Sequence, residues 1–306
     1  MPIRISIVIP TYNSVLFLNK AIESAKRAAC NIEHELIIID DCSDDIEQLR
    51  EFCIKYSSIK LIEKNQKTNA ADSRNIGINL ADGDYIFLLD SDDEYEIDHI
   101  KRRISLHTQN KSGIIFGNFK SRGSAYAQRM LPQYSNTDMR DYLFNFNGDF
   151  RSSTISIAKE HFKNTNFDAQ QNKHQDWGFA IRAFDNYESI TFDEYSSVVI
   201  DTAANDSRMS NSLNIKASEY FLDKYITKIS HVFNFSKSHL RLAIQTKDKN
   251  GIYFLRQNIK KSIAGLPRHK KIIAYSYLAL SANIVIPFTS TLLSIARAIK
   301  DCGRNN

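Results

Sequence analysis

Four short runs of strand-forming residues, separated by helical stretches, constrain the start of this chain more than any other feature. The first is Ile3-Arg4-Ile5-Ser6-Ile7-Val8-Ile9, and Pro10 is expected to stop it, because proline has no N–H to give a sheet ladder. Leu36-Ile37-Ile38-Ile39, Lys60-Leu61-Ile62 and Tyr85-Ile86-Phe87-Leu88-Leu89 follow. Between them Leu16, Leu18, Ala21, Ile22 and Ala25 keep a helical period, as do Ile46, Leu49, Phe52, Cys53 and Tyr56. A third helix is predicted over Ala70 to Ala81, with Gly83 in the turn beyond it. Continuous apolar strands alternating with helices predict βαβ units, hence an α/β fold with a mostly parallel central sheet and helices on both faces.

Ligands of such sheets collect at the carboxyl ends of the strands. Polar loops fall at that edge three times: Thr11-Tyr12-Asn13, Asp40-Asp41, and Asp90-Ser91-Asp92-Asp93. The last places carboxylates at Asp90, Asp92 and Asp93 directly after a buried run. Like charges this close repel and raise one another's pKa. A hard cation reverses the penalty, since Mg²⁺ or Mn²⁺ takes carboxylate oxygens together with substrate phosphates. A solvated acidic turn is the plain alternative, and the convergence of three loops weighs against it. The chain has no Gly-x-Gly-x-x-Gly and no Gly-Lys-Ser/Thr loop after the first strand, so side chains and a metal would have to handle any phosphates.

Composition narrows the class further. With 306 residues, 42% of them hydrophobic, and a formal charge of +5, the chain reads as globular. The basic excess sits mainly in the C-terminal third, which makes nucleic acid a poor partner and an anionic membrane surface a better one. Cys30, Cys42, Cys53 and Cys302 have no zinc-ligand spacing and fit a reduced cytosol. The sequence enters its first strand at once, so no secretory leader is expected.

Several motifs in order carry a resemblance: Ile7-Val8-Ile9-Pro10-Thr11-Tyr12-Asn13, Ile39-Asp40-Asp41-Cys42-Ser43-Asp44, Ser73-Arg74-Asn75-Ile76-Gly77-Ile78 with Ala81-Asp82-Gly83-Asp84-Tyr85, Asp90-Ser91-Asp92-Asp93, and His174-Gln175-Asp176-Trp177. Over about residues 3–210 the chain resembles the family-2 glycosyltransferases, whose catalytic domain has the GT-A nucleotide-diphospho-sugar fold. The resemblance implies a donor site formed by Pro10, Thr11, Tyr12, Asn13, Asp41, Arg74, Ser91 and Arg208. Tyr12 would pack on the nucleobase. Asp41 would accept the uracil N–H, since an ionised acid only accepts, and this favours a UDP-sugar. Its alternative role is a helix N-terminal charge. A guanidinium at Arg74 suits a diphosphate, although a surface charge on its helix is the other reading. Asp90, Asp92 and Asp93 would hold Mn²⁺ or Mg²⁺ against the diphosphate, with their division of labour open.

Asp176 is the implied general base, taking the proton of an acceptor hydroxyl in an inverting transfer. A first-turn helix acid ahead of Trp177, Phe179, Ile181 and Phe184 is its alternative. Trp177 either walls the acceptor pocket or packs in the core. The family usually has Glu-Asp where this chain has Gln175-Asp176, and relatives often carry a histidine in the loop that here reads Asn205-Asp206-Ser207-Arg208-Met209-Ser210. Those departures leave a rival: an inactive nucleotide-sugar-binding or scaffolding subunit of a glycan assembly. Nucleotidyl transfer to a sugar phosphate is a further alternative, but it expects a glycine-rich, basic first loop.

The catalytic domain is expected over 1–212 and a helical region over 213–306. Residues 272–296 carry no charge but contain Asn283, Pro287 and several Ser and Thr, which split the run. A membrane-surface or homo-oligomerising helical pair, bundle helices and a true span are all open. The expected acceptor is a glycan or lipid-linked glycan, and the expected location is the cytoplasm or the cytoplasmic membrane face.

Overall fold

Strand β1 (Arg4–Thr11) runs through Pro10 instead of ending before it, which corrects the sequence expectation. Val8 and Pro10 offer their backbone groups to the same side of the strand. Pairing on that side, with β4 (Tyr85–Leu88), ends at Val8 opposite Leu88, so no strand of the ladder faces the missing N–H. On the other side β2 (Glu33–Asp40) stays in parallel register up to Thr11 opposite Asp40. The two loops that follow therefore leave the sheet side by side.

The computed structural model describes residues 2–56, 58–122, 126–202 and 213–279, with 126–129 described in backbone only. The chain divides into two compact units, residues 1–205 and 206–306. In the first, β3 (Ile59–Glu63), β6 (Ile114–Gly117), β9 (Ser156–Ala158) and β10 (Ile190–Asp193) complete a seven-stranded sheet of order β10-β6-β9-β4-β1-β2-β3. All its strands are parallel except β9, which runs against both of its neighbours.

Helices cover both faces. Ile5, Ile7, Ile9, Leu36, Ile38 and Phe87 point to one side and pack with Leu18, Ala21, Ile22 and Ala25 of α1 (Val15–Ala28), Leu49 of α2 (Ile46–Ile54), and Ile100 of α4 (His99–Asn110). Each Ile, Leu or Phe side chain among them contributes about 1.5–3 kcal/mol on leaving water. On the opposite face α3 (Ala70–Leu80) lies so close to β1 that a β-carbon at Gly77 would overlap the Val8 side chain. Helix α5 (Gln175–Asp185) buries Phe179, which stacks on Phe167 at 4.2 Å.

A second sheet, absent from the sequence reading, has the order β5-β11-β7-β8. It is built from β5 (Glu94–Tyr95), β7 (Phe119–Arg122), β8 (Tyr126–Arg129) and β11 (Val198–Asp201). Its strands, two to four residues long, are too short to give a periodic signal.

The second unit contains α6 (Ile215–Tyr225), α7 (Ile229–Gln245), α8 (Lys249–Ser262) and α9 (Arg268–Ala279). Asn214 and Asp248 cap α6 and α8 by accepting the N–H groups of Ala217 and Gly251. Phe221, Phe235, Leu240, Leu255 and Ile259 form its buried interior. Residues 280–296 of the uncharged run lie outside the described residues, and no described helix is long and apolar enough to cross a membrane.

Candidate active site

The site is assembled where β1, β2 and β4 end. The Thr11 carbonyl accepts the Asp41 N–H at 3.0 Å, and the Val8 carbonyl accepts that of Leu89 at 3.0 Å. These bonds extend the ladder one step past the strands and bring the three predicted loops together. Asn13 and Cys42 hold left-handed backbone conformations, with φ of 49° and 61°. Asn13 locks the first loop to the second, donating from Nδ2 to Asp44 and accepting the Asp44 N–H at 2.8 Å. Asp40 is a buried brace, accepting the N–H and hydroxyl of Ser43. Tyr12 is exposed, with the Lys67 ammonium 3.1 Å from its ring centre. Pro10 and Thr11 are buried, and Thr11 Oγ1 has no hydrogen-bond partner among the described residues.

Asp41 is 6% exposed, and its Oδ1 accepts the Thr68 N–H at 2.8 Å and an ion pair from Lys64 Nζ at 2.8 Å. The same ammonium lies 3.0 Å from Asp72 and also donates to Thr68 Oγ1. Lys64 was missed in the sequence, yet a signal existed. It directly follows β3, whose register sets Glu63 opposite Asp40, so it had to emerge beside Asp41.

Arg74 is 5% exposed and uses both terminal nitrogens within the protein: Nη2 donates to Asp90 at 2.6 Å and Nη1 to Gln175 at 3.1 Å. Burial works against its charge, but Asp90, Asp176 and Asp93 outweigh that and hold it more firmly protonated than an ordinary guanidinium. Gln175 also donates to the Gln171 carbonyl, so the residue that departs from the family pattern ties Arg74 to the start of α5. The Nε of Arg74 is buried without a partner among the described residues.

Asp90, Ser91 and Asp92 are half-buried in a turn closed by the Asp93 N–H on the Asp90 carbonyl at 3.1 Å. Asp93 differs: it is 4% exposed, with Oδ2 accepting the Ser153 hydroxyl at 2.6 Å and Oδ1 the Asp201 N–H at 3.0 Å. Burial first, then the charges of Asp90 and Asp92, push its pKa well above the carboxylate range. Among the described residues no group of three or more His, Cys, Asp or Glu is placed to hold a metal ion by itself.

Asp176 stands in the first turn of α5, half-buried, and its Oδ1 accepts the Ser152 hydroxyl. Burial and the Asp90 charge raise its pKa, and Arg74, Ser152 and Arg151 pull against them without cancelling the rise. The neighbouring serines Ser152 and Ser153 thus hold the candidate base and the acid cluster from one short turn, and Ser153 Oγ also accepts the Asp90 N–H at 3.0 Å. Neither serine lies in a quoted motif, and only tertiary contact reveals them. Arg151 is a further cation by the site, paired with Asp149 at 2.9 Å; the Nε1–H of Trp177 donates to the other Asp149 oxygen at 3.0 Å. Trp177 is half-buried and stacks on His174. Arg208 lies outside the described residues.

A mostly parallel α/β sheet with an acidic turn, a buried arginine and a first-turn helix acid gathered at its carboxyl edge defines a domain of the GT-A class. Residues 6–188 match the model of glycosyl transferase family 2, and the chain belongs to that family. It is 32% identical over 193 residues to the amylovoran biosynthesis glycosyltransferase AmsB of Erwinia amylovora, covering 59% of this chain and 64% of that one, less than two thirds of its length. It is 28% identical to the poly(ribitol-phosphate) beta-N-acetylglucosaminyltransferase TarP of Staphylococcus aureus, over 85% of this chain and 82% of that one. Among solved structures, S. aureus TarS residues 1–349 in complex with UDP-GlcNAc aligns with a TM-score of 0.61 at 14% identity, covering 92% of this chain and 89% of that chain. At that identity the likeness concerns the fold alone.

Proposed function

We propose that this protein is an inverting glycosyltransferase that moves a sugar from a UDP-sugar to a hydroxyl of a glycan or lipid-linked glycan. One observation carries the reading: Asp176, its pKa raised, stands within electrostatic reach of Arg74 and the acidic turn at the sheet edge. A carboxylate with raised pKa is a better proton acceptor than an ordinary aspartate, and a positioned base contributes roughly 10²–10⁴-fold. Ser152 occupies Oδ1, so Oδ2 is the oxygen assigned to receive the proton. As the acceptor hydroxyl loses that proton, its oxygen bonds to C1 of the donor sugar. The bond from C1 to the diphosphate oxygen breaks, and UDP leaves with the electron pair. The UDP-GlcNAc bound to TarS supports this donor, and the names of both relatives support the reaction class.

The carboxylate oxygens of the acidic turn are the ligand type a hard divalent cation takes, with substrate phosphates completing its shell. Asp90 and Asp92 repel Asp93, a penalty that a bound cation would offset. Asp90 and Asp92 would hold Mn²⁺ or Mg²⁺, and Asp93, with both oxygens engaged, would brace the turn. The bound ion would supply Lewis-acid neutralisation of the leaving diphosphate. Arg74 fixes Asp90 relative to α5, so the acid turn and the base keep a set spacing. Tyr12 would stack on the uracil and Asp41 would accept its imide N–H.

The test is a screen of nucleotide-sugars for Mn²⁺- or Mg²⁺-dependent binding and slow hydrolysis. UDP-sugars are expected to bind and be hydrolysed, with EDTA removing both effects. Binding of no nucleotide-sugar under any metal condition overturns the proposal.

A further inference from the structure

We infer that Lys64 is a positioning residue that sets the hydrogen-bond polarity of the nucleobase pocket, and so makes it select uracil over cytosine. The inference rests on the assignment of Asp41 to the nucleobase. Lys64 is nearly enclosed, with 5% of its side chain exposed, and the proposed transfer assigns it no step. Its ammonium has three protons to donate. They are met by Asp41 Oδ1 at 2.8 Å, Asp72 Oδ2 at 3.0 Å and Thr68 Oγ1, with Ser73 Oγ more distant at 3.4 Å. Thr68 in turn donates its hydroxyl to Asp72 at 2.7 Å and its N–H to Asp41 Oδ1 at 2.8 Å. The result is a closed ring of two acids, one lysine and one threonine, drawn from the ends of β2 and β3 and the start of α3.

Two donors on Oδ1 leave Oδ2 as the acceptor available to a base, since no donor among the described residues reaches it. The Lys64 ammonium and the Thr68 N–H grip Oδ1 together and so fix the rotation of the Asp41 carboxylate. Uracil offers an N3–H to Oδ2. Cytosine presents a lone pair at N3 and is repelled by the same atom. Discrimination of this kind is large because the wrong base leaves a buried polar group unpaired. A buried ion pair contributes little to stability by itself, so orientation of a ligand-reading group is the more economical reason for its presence.

The test is calorimetric titration of the full chain with UDP and with CDP at fixed Mn²⁺. Lys64→Met keeps the apolar stem and removes the charge. It is expected to weaken UDP by about tenfold while CDP stays within about twofold, so that the ratio between them collapses. A purely structural lysine would weaken both nucleotides equally, and that result, or an unchanged ratio, overturns the inference. Lys64→Gln, which retains a donor without the charge, carries the same test should Lys64→Met fail to fold. Asp41→Asn separates the two readings. If it leaves UDP affinity unchanged, the assignment of Asp41 to the base fails. If it weakens UDP while both Lys64 variants keep the wild-type ratio, only the role of Lys64 fails.

Discussion

At the proposed nucleobase end, Asp41 and Asp72 share the buried ammonium of Lys64. At the proposed chemical end Asp90, Asp92, Asp93 and Asp176 gather, and Arg74 and Arg151 are the described cations that act on them. The pKa directions follow that difference. Burial would raise Asp72, but Thr68 and Lys64 outweigh it and hold the group below its usual value. Asp93 and Asp176 are pushed up, by burial first and then by like charge. At the proposed nucleobase end one ammonium lies directly between the two acids. At the proposed chemical end the acids outnumber the cations further, and a bound cation and proton would relieve that excess.

The strongest way to break this contrast is Asp176→Asn. Transfer should fall by roughly 10²–10⁴-fold with UDP binding intact, and undiminished turnover would remove the base from the scheme. The same change deletes a buried charge, so thermal stability at neutral pH should rise as activity falls, a trade seen where active sites store electrostatic strain. Next in size, Asp92→Ala should abolish the dependence of UDP affinity on Mn²⁺ while the melting temperature stays close to wild type. UDP binding that still responds to metal would place the ion elsewhere.

Stability against pH sharpens the comparison, because the two ends carry opposite signs. Asp72 has a lowered folded pKa, so its contribution is present above the unfolded value of about 3.9 and is lost as pH falls through the folded one. Asp176 has a raised folded pKa, so its contribution is full below about 3.9 and is lost as pH rises through the folded value. Denaturant melts of Asp72→Asn should therefore show a deficit of about 1 kcal/mol at neutral pH that shrinks under acid. Those of Asp176→Asn should show a surplus that shrinks under acid. Matching trends in the two variants would contradict the contrast. The smallest effect is expected from Ser152→Ala. Losing that hydrogen bond should raise the base pKa further and move the acid limb of the pH–rate profile upward, by an amount equivalent to about 1 kcal/mol.

Much of the frame was legible in the residues. The four apolar runs became β1, β2, β3 and β4, and their polar loops emerged at one edge because parallel strands must all end there. Pro10 misled as a stop signal, since a missing N–H matters only where a neighbouring strand demands it, and β4 had already ended. The second sheet was invisible because β5 and β11 lie a hundred residues apart and pair over only Tyr95–Val198 and Glu94–Val199. Residues 213–306 were expected to be helical, and their described part holds α6 to α9, whose separate bounds the sequence reading did not give.

Local pattern determined which acids exist and which strand end each one follows, because the side-chain period and the strand–loop order are properties of neighbouring residues. Their electrical state was decided only by folding. Lys64 reaches Asp41, Ser152 reaches Asp176, and Gln175 joins Arg74 to α5 across long sequence separations, through enclosed surroundings in which charges act strongly on one another. The motif that reads Asp90-Ser91-Asp92-Asp93 is uniform on paper. In the folded protein Asp93 is locked by Ser153 and the Asp201 N–H while Asp90 is held by Arg74, and that separation of roles comes from burial and partners, which no stretch of sequence contains.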